Sequence, residues 1–448
     1  MAKRFRASAW EQVYLMPPSL EEWLPEGHLA RFVGEVCSEL DLSKVFAGYE
    51  GDGRGLAAYH PLMMVRLLMY GYAVGKRSSR AIERATYEDV AFRYLSANQH
   101  PDHDTIAAFR KRHLKALEGL FEQVLGLCGR AGLNKVGVVS IDGTKMLANA
   151  NPERTVRYNE LVSKERKLAR WLLEEAERVD AEEDARYGKG VNPGDLPPEM
   201  ATAEQRLKKI REAKAQLEQD QRERREAAEK ERESSGGKNK TEAAKKRYQR
   251  AHKPLEQVNP QYNWTDPDSK IMRDSVTGGW VQAYNAQAAV NESQVIVVAE
   301  ISNIPADRAH FVPMTHAVHQ QLGRMPETVL ADAGYFSTEA FDDPLIAAAH
   351  ILINPDRGRR ADGLATPANS PKHPQAERMR AELATETGRA LYARRKTTIE
   401  PVFGQIKEAR HIRRFLLRGI ENVRAEWRLI CATHNLLKLF RAPKLAPA

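Results

Sequence analysis

Two acidic residues of this 448-residue chain each end a short run of apolar, mostly β-branched residues. Asp142 ends the run VGVVSID, and Asp332 ends the run TVLAD. Continuous apolar runs of this length predict strands buried on both faces, and the carboxyl ends of such strands are where open α/β sheets bind ligands. Either Asp by itself could simply form a turn or cap the next element. Two such carboxylates side by side would repel each other unless they share a proton or bind a cation, and the pair favours a cation site.

A third acidic residue, Glu400, lies in the segment RRKTTIEPVFGQIKEAR. Thr397 or Thr398 is a suitable helix N-cap, and Pro401 is tolerated in the first turn of a helix. Glu400 and Lys407 are two helical turns apart, about 10 Å along the axis at roughly 1.5 Å per residue. This spacing suits a carboxylate that binds a metal ion and an ammonium group that binds a flanking phosphate. The alternative is an ordinary amphipathic surface helix.

Two basic clusters lie within residues 1–134. The first, GKRSSRAIER, surrounds a helix start at Ser78 or Ser79, and the second is FRKRH. Helix N-termini with basic side chains beside them bind phosphates well. A solvated helix face is the alternative for any single residue, but the two clusters together predict contact with DNA phosphates. The residues expected to make this contact are Arg77, Arg80, Arg110, Lys111 and Arg112.

Hydrophobic periodicity indicates which elements must position these residues. Residues 1–134 have apolar positions three and four apart, which predict several short helices joined by tight turns. From Val136 onward, strand-like runs alternate first with turns and then with helices, which predicts a mixed α/β sheet whose first strand ends at Asp142. A charged insertion, residues 154–253, predicts two long antiparallel helices with a tip at 234–237 and no strands of its own. The expected organisation is therefore a helical domain over 1–134 and an α/β domain over 135–448, interrupted by this insertion.

Composition narrows the class of protein. The chain has 69 Lys and Arg residues against 60 Asp and Glu, a formal net charge of +9 and a pI near 9.3. This excess suits a polyanionic partner, although a well-solvated surface would also explain it. No apolar run approaches the roughly 18–20 residues of a membrane helix, and the first residues lack the apolar stretch of a secretory signal. Three scattered cysteines offer neither a disulfide framework nor a CxxC metal site. We therefore expect a soluble, cytoplasmic protein.

Around the acidic residues, the sequence resembles the DDE transposases of bacterial insertion sequences. The matching segments are SIDGTKM, TDPDSKIMRD, VQAYNAQAAV, VLADAGYF and IEPVFGQIK. Two further segments, YHPLMMVRLLMYGYAVGKRSSRAIERA and PDHDTIAAFRKRH, resemble the helical domain that precedes the catalytic domain in one large group of these elements. The resemblance covers nearly the whole chain, and the order of its motifs makes it specific. It implies a ribonuclease-H-like mixed sheet with flanking helices, after an N-terminal all-helical domain that binds DNA.

The resemblance also implies roles for the three acidic residues. In the family, the first Asp lies on the first strand, the second Asp follows the neighbouring fourth strand, and the Glu lies on a helix after the fifth strand. These positions correspond to Asp142, Asp332 and Glu400. They would hold two Mg²⁺ ions, with Mn²⁺ as a substitute, for cleavage at the ends of the element and transfer of the 3′-hydroxyl into target DNA.

Related transposases also have a Tyr-Arg-Glu-Lys signature around the Glu. Glu400 and Lys407 keep its spacing, and Tyr392 and Arg395 keep theirs, but Arg395 is one residue further from Glu400 than the signature requires. Either Arg395 or Lys396 could therefore take the role of the arginine. All four of these basic and aromatic residues are expected to contact DNA. The resemblance further implies double-stranded DNA as partner, assembly of at least two copies on that DNA, and association with the nucleoid.

Two other classes of function compete with this interpretation. A metal-dependent nuclease of the same fold would cleave DNA without joining the ends, and an inactive descendant of a transposase would only bind DNA. A glycosidase that uses paired carboxylates fits poorly, because the chain is basic and only 7% of its residues are aromatic.

Overall fold

The computed structural model describes residues 19–49, 57–187, 198–234, 242–274, 278–356 and 373–442. The chain folds as two compact units. The first contains Met1–Ala148 and Tyr284–Ala448, and the second contains Asn149–Ala283. Strand Trp280–Asn291 continues from the second unit into the first. The expected division at residues 134/135 stays a prediction.

The first unit begins with short helices, as the periodicity predicts. Apolar side chains of these helices are buried together, and Leu68, Phe92 and Phe121 are fully enclosed. Residues 103–130 form three consecutive short helices. In chain order the α-helices are α1 Leu29–Glu39, α2 Ser43–Phe46, α3 Pro61–Ala73, α4 Ser79–Glu88, α5 Val90–Leu95, α6 His103–Arg112, α7 Leu114–Glu118 and α8 Leu120–Arg130, with 3-10 helices at Leu20–Trp23 and Ala47–Tyr49.

The first strand, β1, spans Val138–Leu147. The prediction that this strand ends at Asp142 is therefore wrong, because extended backbone continues for five more residues. The continuation is stabilised by the Arg413–Phe415 segment, since Leu147 N donates to Arg413 O at 3.0 Å and Phe415 N donates to Leu147 O at 2.9 Å. These contacts join segments far apart in sequence, and hydrophobic patterning alone could not indicate them.

The second unit consists mainly of helices, as the charged composition predicts. Near the start of helix α9 (Tyr158–Tyr187), Tyr158 donates to Glu218 of helix α10 (Pro198–Ser234). Further along α9, Glu165 binds Arg211 and Lys214, which come earlier in α10, so the two helices run antiparallel. A third helix, α11, packs against α10 and was not predicted. The proposed tip falls almost entirely outside the described residues. The elements are 3-10 helix Pro152–Arg154, β2 Thr155–Arg157, α9 Tyr158–Tyr187, α10 Pro198–Ser234, α11 Glu242–Ala251, α12 Leu255–Val258, β3 Gln261–Asn263 and β4 Lys270–Arg273.

The expectation that this insertion supplies no strands is wrong. Strand β2 lies within residues 154–253 and pairs antiparallel with β3, with Val156 opposite Tyr262. Strand β4 pairs antiparallel with the first four residues of the following strand, Trp280–Ala283. Three-residue strands such as β2 and β3 are too short to show a period of two in the sequence.

The main sheet of the first unit contains β1 and four later strands. Strand β6 (Ile296–Ser302) is antiparallel to β5 (Trp280–Asn291). Strand β7 (Thr328–Ala331) is parallel to both β1 and β8 (Ile351–Ile353). The order of the strands across the sheet is β6-β5-β1-β7-β8. The first and fourth strands of this unit are therefore neighbours, as the ribonuclease-H-like fold implies. The later elements are β5 Trp280–Asn291, β6 Ile296–Ser302, α13 Phe311–Leu322, β7 Thr328–Ala331, α14 Pro344–Ala348, β8 Ile351–Ile353, α15 Pro374–Ala384, α16 Glu386–Thr398, α17 Glu400–Gly404 and α18 Ile420–Arg441, with 3-10 helices at Asp307–His310 and Glu339–Asp342.

Helix α18 packs against β6 and also against the N-terminal helices α3, α7 and α8. Trp427 is fully buried and donates from Nε1 to Gln287 O of β5 at 3.0 Å. Asn435 binds both backbone groups of Ile296, accepting from its N–H and donating to its carbonyl at 2.8 Å each. The fold class expected from the sequence, a mixed α/β sheet with flanking helices after a helical N-terminal region, is confirmed. None of the helices within the described ranges is long and apolar enough to cross a membrane.

Candidate active site

Asp142 and Asp332 lie at the same point of the register of two adjacent parallel strands, Asp142 within β1 and Asp332 directly after β7. The last paired residues of β1 and β7 are Ile141 and Ala331, and the two aspartates come directly after them. Each aspartate also accepts a hydrogen bond from a nearby backbone N–H, Asp142 from Gly143 N and Asp332 from Gly334 N, both at 2.8 Å. A turn follows Asp332, whereas Asp142 lies in extended backbone and forms no turn. The side-by-side placement of the two aspartates depends on the pairing of their strands.

The two carboxylates influence each other electrostatically. Burial and the negative charge of Asp332 raise the pKa of Asp142 to about 7, against the opposing effect of Arg395. A carboxyl group with this pKa is in an environment that disfavours a second negative charge. Hard oxygen donors held together in this way are the ligands that Mg²⁺ prefers.

Arg395 connects Asp142 with Glu400. Its Nη1 donates to Asp142 Oδ2 at 3.1 Å, and its Nη2 lies 3.6 Å from Glu400 Oε1. The side chains of Arg395 and Asp142 are 15% and 18% exposed, whereas Glu400 is 51% exposed. Lys396 is exposed, so Arg395 is the basic residue that lies against the carboxylates.

Helix α17 begins at Glu400, with Pro401 in its first turn as the sequence indicates. The segment that follows, Gln405–Ala409, is a π-helix and contains Lys407. Such segments are uncommon and occur frequently at functional sites. Lys407 Nζ donates to the carbonyl of Lys145 on β1 at 2.8 Å, three residues beyond Asp142. Lys407 is therefore positioned beside the same strand as the first aspartate.

Tyr392 contacts the strand that leads to Asp332. Its hydroxyl donates to Ala331 O at 3.2 Å, and burial raises its pKa. Of the sequence-predicted residues, Asp142, Asp332, Tyr392, Arg395 and Lys407 lie on or beside β1 and β7, and Glu400 is connected to Asp142 through Arg395. A preformed cluster of three or more metal-ligating side chains is absent from the described part of the chain. The donor chemistry of the two aspartates fits a divalent cation.

A polar network beside Asp142 was not predicted. Asp307 Oδ1 lies 3.2 Å from Lys145 Nζ and accepts from Asn285 Nδ2 at 2.7 Å and from Gln287 Nε2 at 3.2 Å. The buried Tyr335 donates to Gln287 Oε1. The sequence gives one signal for this network, because Asn285 and Gln287 are two residues apart in the otherwise apolar VQAYNAQAAV and so share one face of the strand.

The basic residues of the N-terminal helices separate into two groups. Arg77 forms an ion pair with the buried Glu426 at 3.0 Å, and Arg110 is 7% exposed and donates to Arg77 O at 3.0 Å. Both guanidinium groups therefore stabilise packing inside the first unit. Arg80, Lys111 and Arg112 are exposed, and their contact with DNA stays a prediction.

Comparison with known protein families gives two matches. A transposase domain (DUF772) matches residues 18–112, and a transposase DDE domain matches residues 361–440. The second match includes Glu400 and Lys407, whereas both aspartates lie outside it. No curated protein and no solved structure matches the chain. The two matches, together with the mixed sheet between them, support a DDE transposase of an insertion element.

Proposed function

We propose that the protein performs DNA transposition by metal-dependent phosphoryl transfer, cleaving DNA at the ends of its element and transferring the freed 3′-hydroxyl into target DNA. Asp142, Asp332 and Glu400 would hold two Mg²⁺ ions, with Mn²⁺ as a substitute. Bound divalent cations supply charge neutralisation at the scissile phosphate and activation of the attacking oxygen. The observation that supports this proposal best is the placement of Asp142 beside Asp332 on adjacent strands, with Arg395 between Asp142 and Glu400.

The basic residues of the site have the complementary role of binding phosphate. Arg395 and Lys407 each lie within reach of β1, and both would place positive charge beside DNA that occupies the carboxylate site. Arg395 now neutralises Asp142 and reaches Glu400, so it must exchange these partners for phosphate oxygens when DNA and cations bind. Tyr392 positions α16 against β7 through its hydrogen bond to Ala331 O. The roles of these residues are positioning and charge stabilisation, which need no covalent bond between protein and DNA.

The expected partners belong to the same proposal. Exposed Arg80, Lys111 and Arg112 of the N-terminal helices would bind phosphates of the duplex, whatever its base sequence. At least two copies of the chain would assemble on the two ends of one element. The proposed setting is the cytoplasm, with the protein bound to the nucleoid.

The experiment is a nicking assay on a duplex that carries the end of the element, with Mg²⁺ or Mn²⁺. Asp142→Asn, Asp332→Asn and Glu400→Gln should fold and bind the duplex but lose cleavage, because too few ligands remain to orient the scissile phosphate. Glu408→Gln is the matched control, since Glu408 is exposed on the segment that follows α17 and forms an ion pair with Arg413. Near-normal cleavage by any of the three carboxylate variants removes that residue from the site.

A second duplex in the assay separates the competing functions. Joining of the cleaved end to that duplex supports a transposase that performs strand transfer. Cleavage without joining supports a nuclease of the same fold. Binding without cleavage, with either cation, supports a DNA-binding descendant of a transposase.

A further inference from the structure

Asp307 is an acidic residue beside the candidate active site to which the proposed function assigns no role. It begins the 3-10 helix Asp307–His310, in the segment that joins β6 to α13. Its Oδ1 accepts from Asn285 Nδ2 at 2.7 Å and from Gln287 Nε2 at 3.2 Å, and lies 3.2 Å from Lys145 Nζ. Both amide side chains are buried. One carboxylate oxygen thus serves three donors, which come from the two strands β1 and β5.

The carboxylate of Asp307 determines how the Gln287 side chain is oriented. An ionised carboxylate can only accept hydrogen bonds, so the amide of Gln287 must turn its NH₂ group toward it. The carbonyl oxygen Oε1 of this amide then faces Tyr335, whose hydroxyl donates to it. Asn285 is held in the same way, although its buried Oδ1 has no hydrogen-bond partner among the residues that the structure describes. An orientation with this cost indicates that the carboxylate determines it.

The Gln287 amide is also connected to the backbone beside both aspartates of the candidate site. A Cβ on Gly143, the residue after Asp142, would overlap this amide, so the backbone of β1 packs directly against it. On the other side, Tyr335 binds the amide with its hydroxyl and donates its backbone N–H to the carbonyl of Asp332 at 3.1 Å. A path of direct contacts therefore leads from the backbone at one aspartate, through the amide, to the backbone at the other.

The spacing of two carboxylates affects which divalent cation they bind best. Mg²⁺ requires near-ideal octahedral geometry with ligand distances of about 2.0–2.1 Å. The larger Ca²⁺ takes roughly six to eight oxygen ligands at about 2.3–2.6 Å in flexible geometry. Groups that hold metal ligands in place from outside change metal affinity by about 10–100-fold when they are removed. A network that fixes the spacing of two carboxylates can therefore favour Mg²⁺.

We propose that Asp307 is a positioning residue of the candidate active site, which fixes the spacing of the two aspartates through the Gln287 amide and so favours Mg²⁺ over Ca²⁺. The proposal rests on the proposed function, because it takes Asp142 and Asp332 as cation ligands. Asp307 acts through its hydrogen bonds and not as a ligand, since its Oδ1 already binds two amides and an ammonium group.

The test measures cation binding by the full-length protein without DNA, so that the result does not depend on cleavage. Bound Mn²⁺ is followed by electron paramagnetic resonance and is displaced with Mg²⁺ or with Ca²⁺. Asp307→Asn should lower the affinity for Mg²⁺ by about tenfold, the lower end of the effect of outer groups, and the affinity for Ca²⁺ by less. Loss of charge alone would weaken both divalent cations by the same factor. The ratio of the two affinities therefore reports the spacing of the aspartates.

Two further variants separate hydrogen bonding from charge. Tyr335→Phe removes the hydroxyl that binds Gln287 Oε1 and changes no charge, so it should shift the ratio of Mg²⁺ to Ca²⁺ affinity in the same direction. Gln287→Glu combined with Asp307→Asn exchanges the carboxylate and the amide, so the hydrogen bond between them re-forms in reverse. The double variant should recover the ratio of the wild type. A double variant no closer to the wild type than Asp307→Asn overturns the proposal.

Asp343→Asn is the matched control for a loss of stability. Asp343 caps α14 by accepting from Leu345 N and Ile346 N, and it forms an ion pair with His316 at 2.8 Å. Its replacement should lower the melting temperature and leave the ratio of the two affinities unchanged. The same behaviour in Asp307→Asn, a lower melting temperature with the ratio of the wild type, would show a purely structural role and overturn the proposal. An equal loss of affinity for both cations overturns it as well.

Failure of the proposed function has a different signature. Wild-type protein that never cleaves DNA, with a ratio of affinities that Asp307→Asn shifts, would contradict the proposed chemistry and leave the role of Asp307 intact. In protein that cleaves, Asp307→Asn should lower kcat with Mg²⁺ and leave the KM for DNA unchanged, because Asp307 acts on the carboxylates. A raised KM with an unchanged kcat would place Asp307 in DNA binding and overturn the proposal.

Discussion

Arg395 lies against Asp142, a residue 253 positions earlier in the chain, with its Nη1 donating to Asp142 Oδ2 at 3.1 Å. The same guanidinium reaches Glu400, and its buried Nε has no hydrogen-bond partner among the residues that the structure describes. In the absence of DNA, Arg395 therefore neutralises carboxylates that the proposed reaction needs for cations. Cations and Arg395 should compete for the same negative charge.

Replacing Arg395 with Gln tests this competition. Loss of the guanidinium leaves Asp142 and Glu400 without a counter-charge, so Mn²⁺ should bind the DNA-free protein on the order of tenfold more tightly. Cleavage should nevertheless fall, because the phosphate loses a binding partner. Titration of Mn²⁺ by electron paramagnetic resonance measures the affinity. Lys396→Gln, one residue away and exposed, should leave the affinity unchanged, and a weaker affinity in Arg395→Gln would contradict the competition.

The raised pKa of Asp142 predicts how stability depends on pH. The unfolded carboxyl loses its proton near pH 4 and the folded one near pH 7, so the folded state binds more protons between these values and stability falls as pH rises. Above pH 7 the cost reaches about 4 kcal/mol at most, at 1.36 kcal/mol per pKa unit. Asp142→Asn should therefore melt at a higher temperature than the wild type at pH 8, with the difference shrinking toward pH 5.

The matched control for this pH effect has the opposite sign. Asp102 caps α6, and the hydrogen bonds that it accepts from Thr105 lower its pKa. Asp102→Asn should lower the melting temperature at pH 8, and this effect should vanish at acid pH. Addition of Mg²⁺ should raise the melting temperature of the wild type more than that of Asp142→Asn. Equal melting temperatures of Asp142→Asn and wild type at pH 8 would show that the burial of Asp142 does not affect the free energy of unfolding.

Gly143 is required by the close approach of the polar network. A Cβ at this position would overlap the Gln287 side-chain amide and would lie 2.8 Å from Asn285 Oδ1. Gly143→Ala should therefore displace the neighbouring Asp142, and a misplacement of about 1 Å can cost roughly a hundredfold in rate. Gly126→Ala is the control, since nothing lies within 4 Å of a Cβ there and Ala favours the helix. Normal cleavage by Gly143→Ala would mean that the network does not position Asp142.

The two groups of basic residues in the N-terminal helices should respond differently to mutation. Arg77→Ala leaves the charge of the fully buried Glu426 uncompensated, which should cost about 3–5 kcal/mol of the free energy of unfolding. Arg80→Ala should leave stability unchanged and weaken binding to duplex DNA, with a smaller dependence on salt. Denaturant melts and salt-dependent binding assays measure the two effects. An Arg77→Ala variant that is as stable as the wild type but binds DNA weakly would show that Arg77 contacts DNA.

The sequence by itself determined the local features of this protein. Apolar runs before Asp142 and Asp332 indicated two buried strands, Pro401 indicated a helix start nearby, and the ordered motifs implied the family and the order of its strands. These features depend on residues close together in the chain. Side-chain size, backbone preference and hydrophobic periodicity determine the secondary structure of such short segments directly.

Only the tertiary structure decided which groups meet. The continuation of β1 to Leu147 depends on pairing with the Arg413–Phe415 segment, and the choice of Arg395 over Lys396 depends on how α16 packs against β7. Arg77 and Arg110 were expected to contact DNA, but both are largely buried and bind groups within the first unit. A buried charge needs a counter-charge or hydrogen-bond partners in the protein itself. Such pairings join residues hundreds of positions apart, so a pattern that extends over one or two turns of chain contains no information about them.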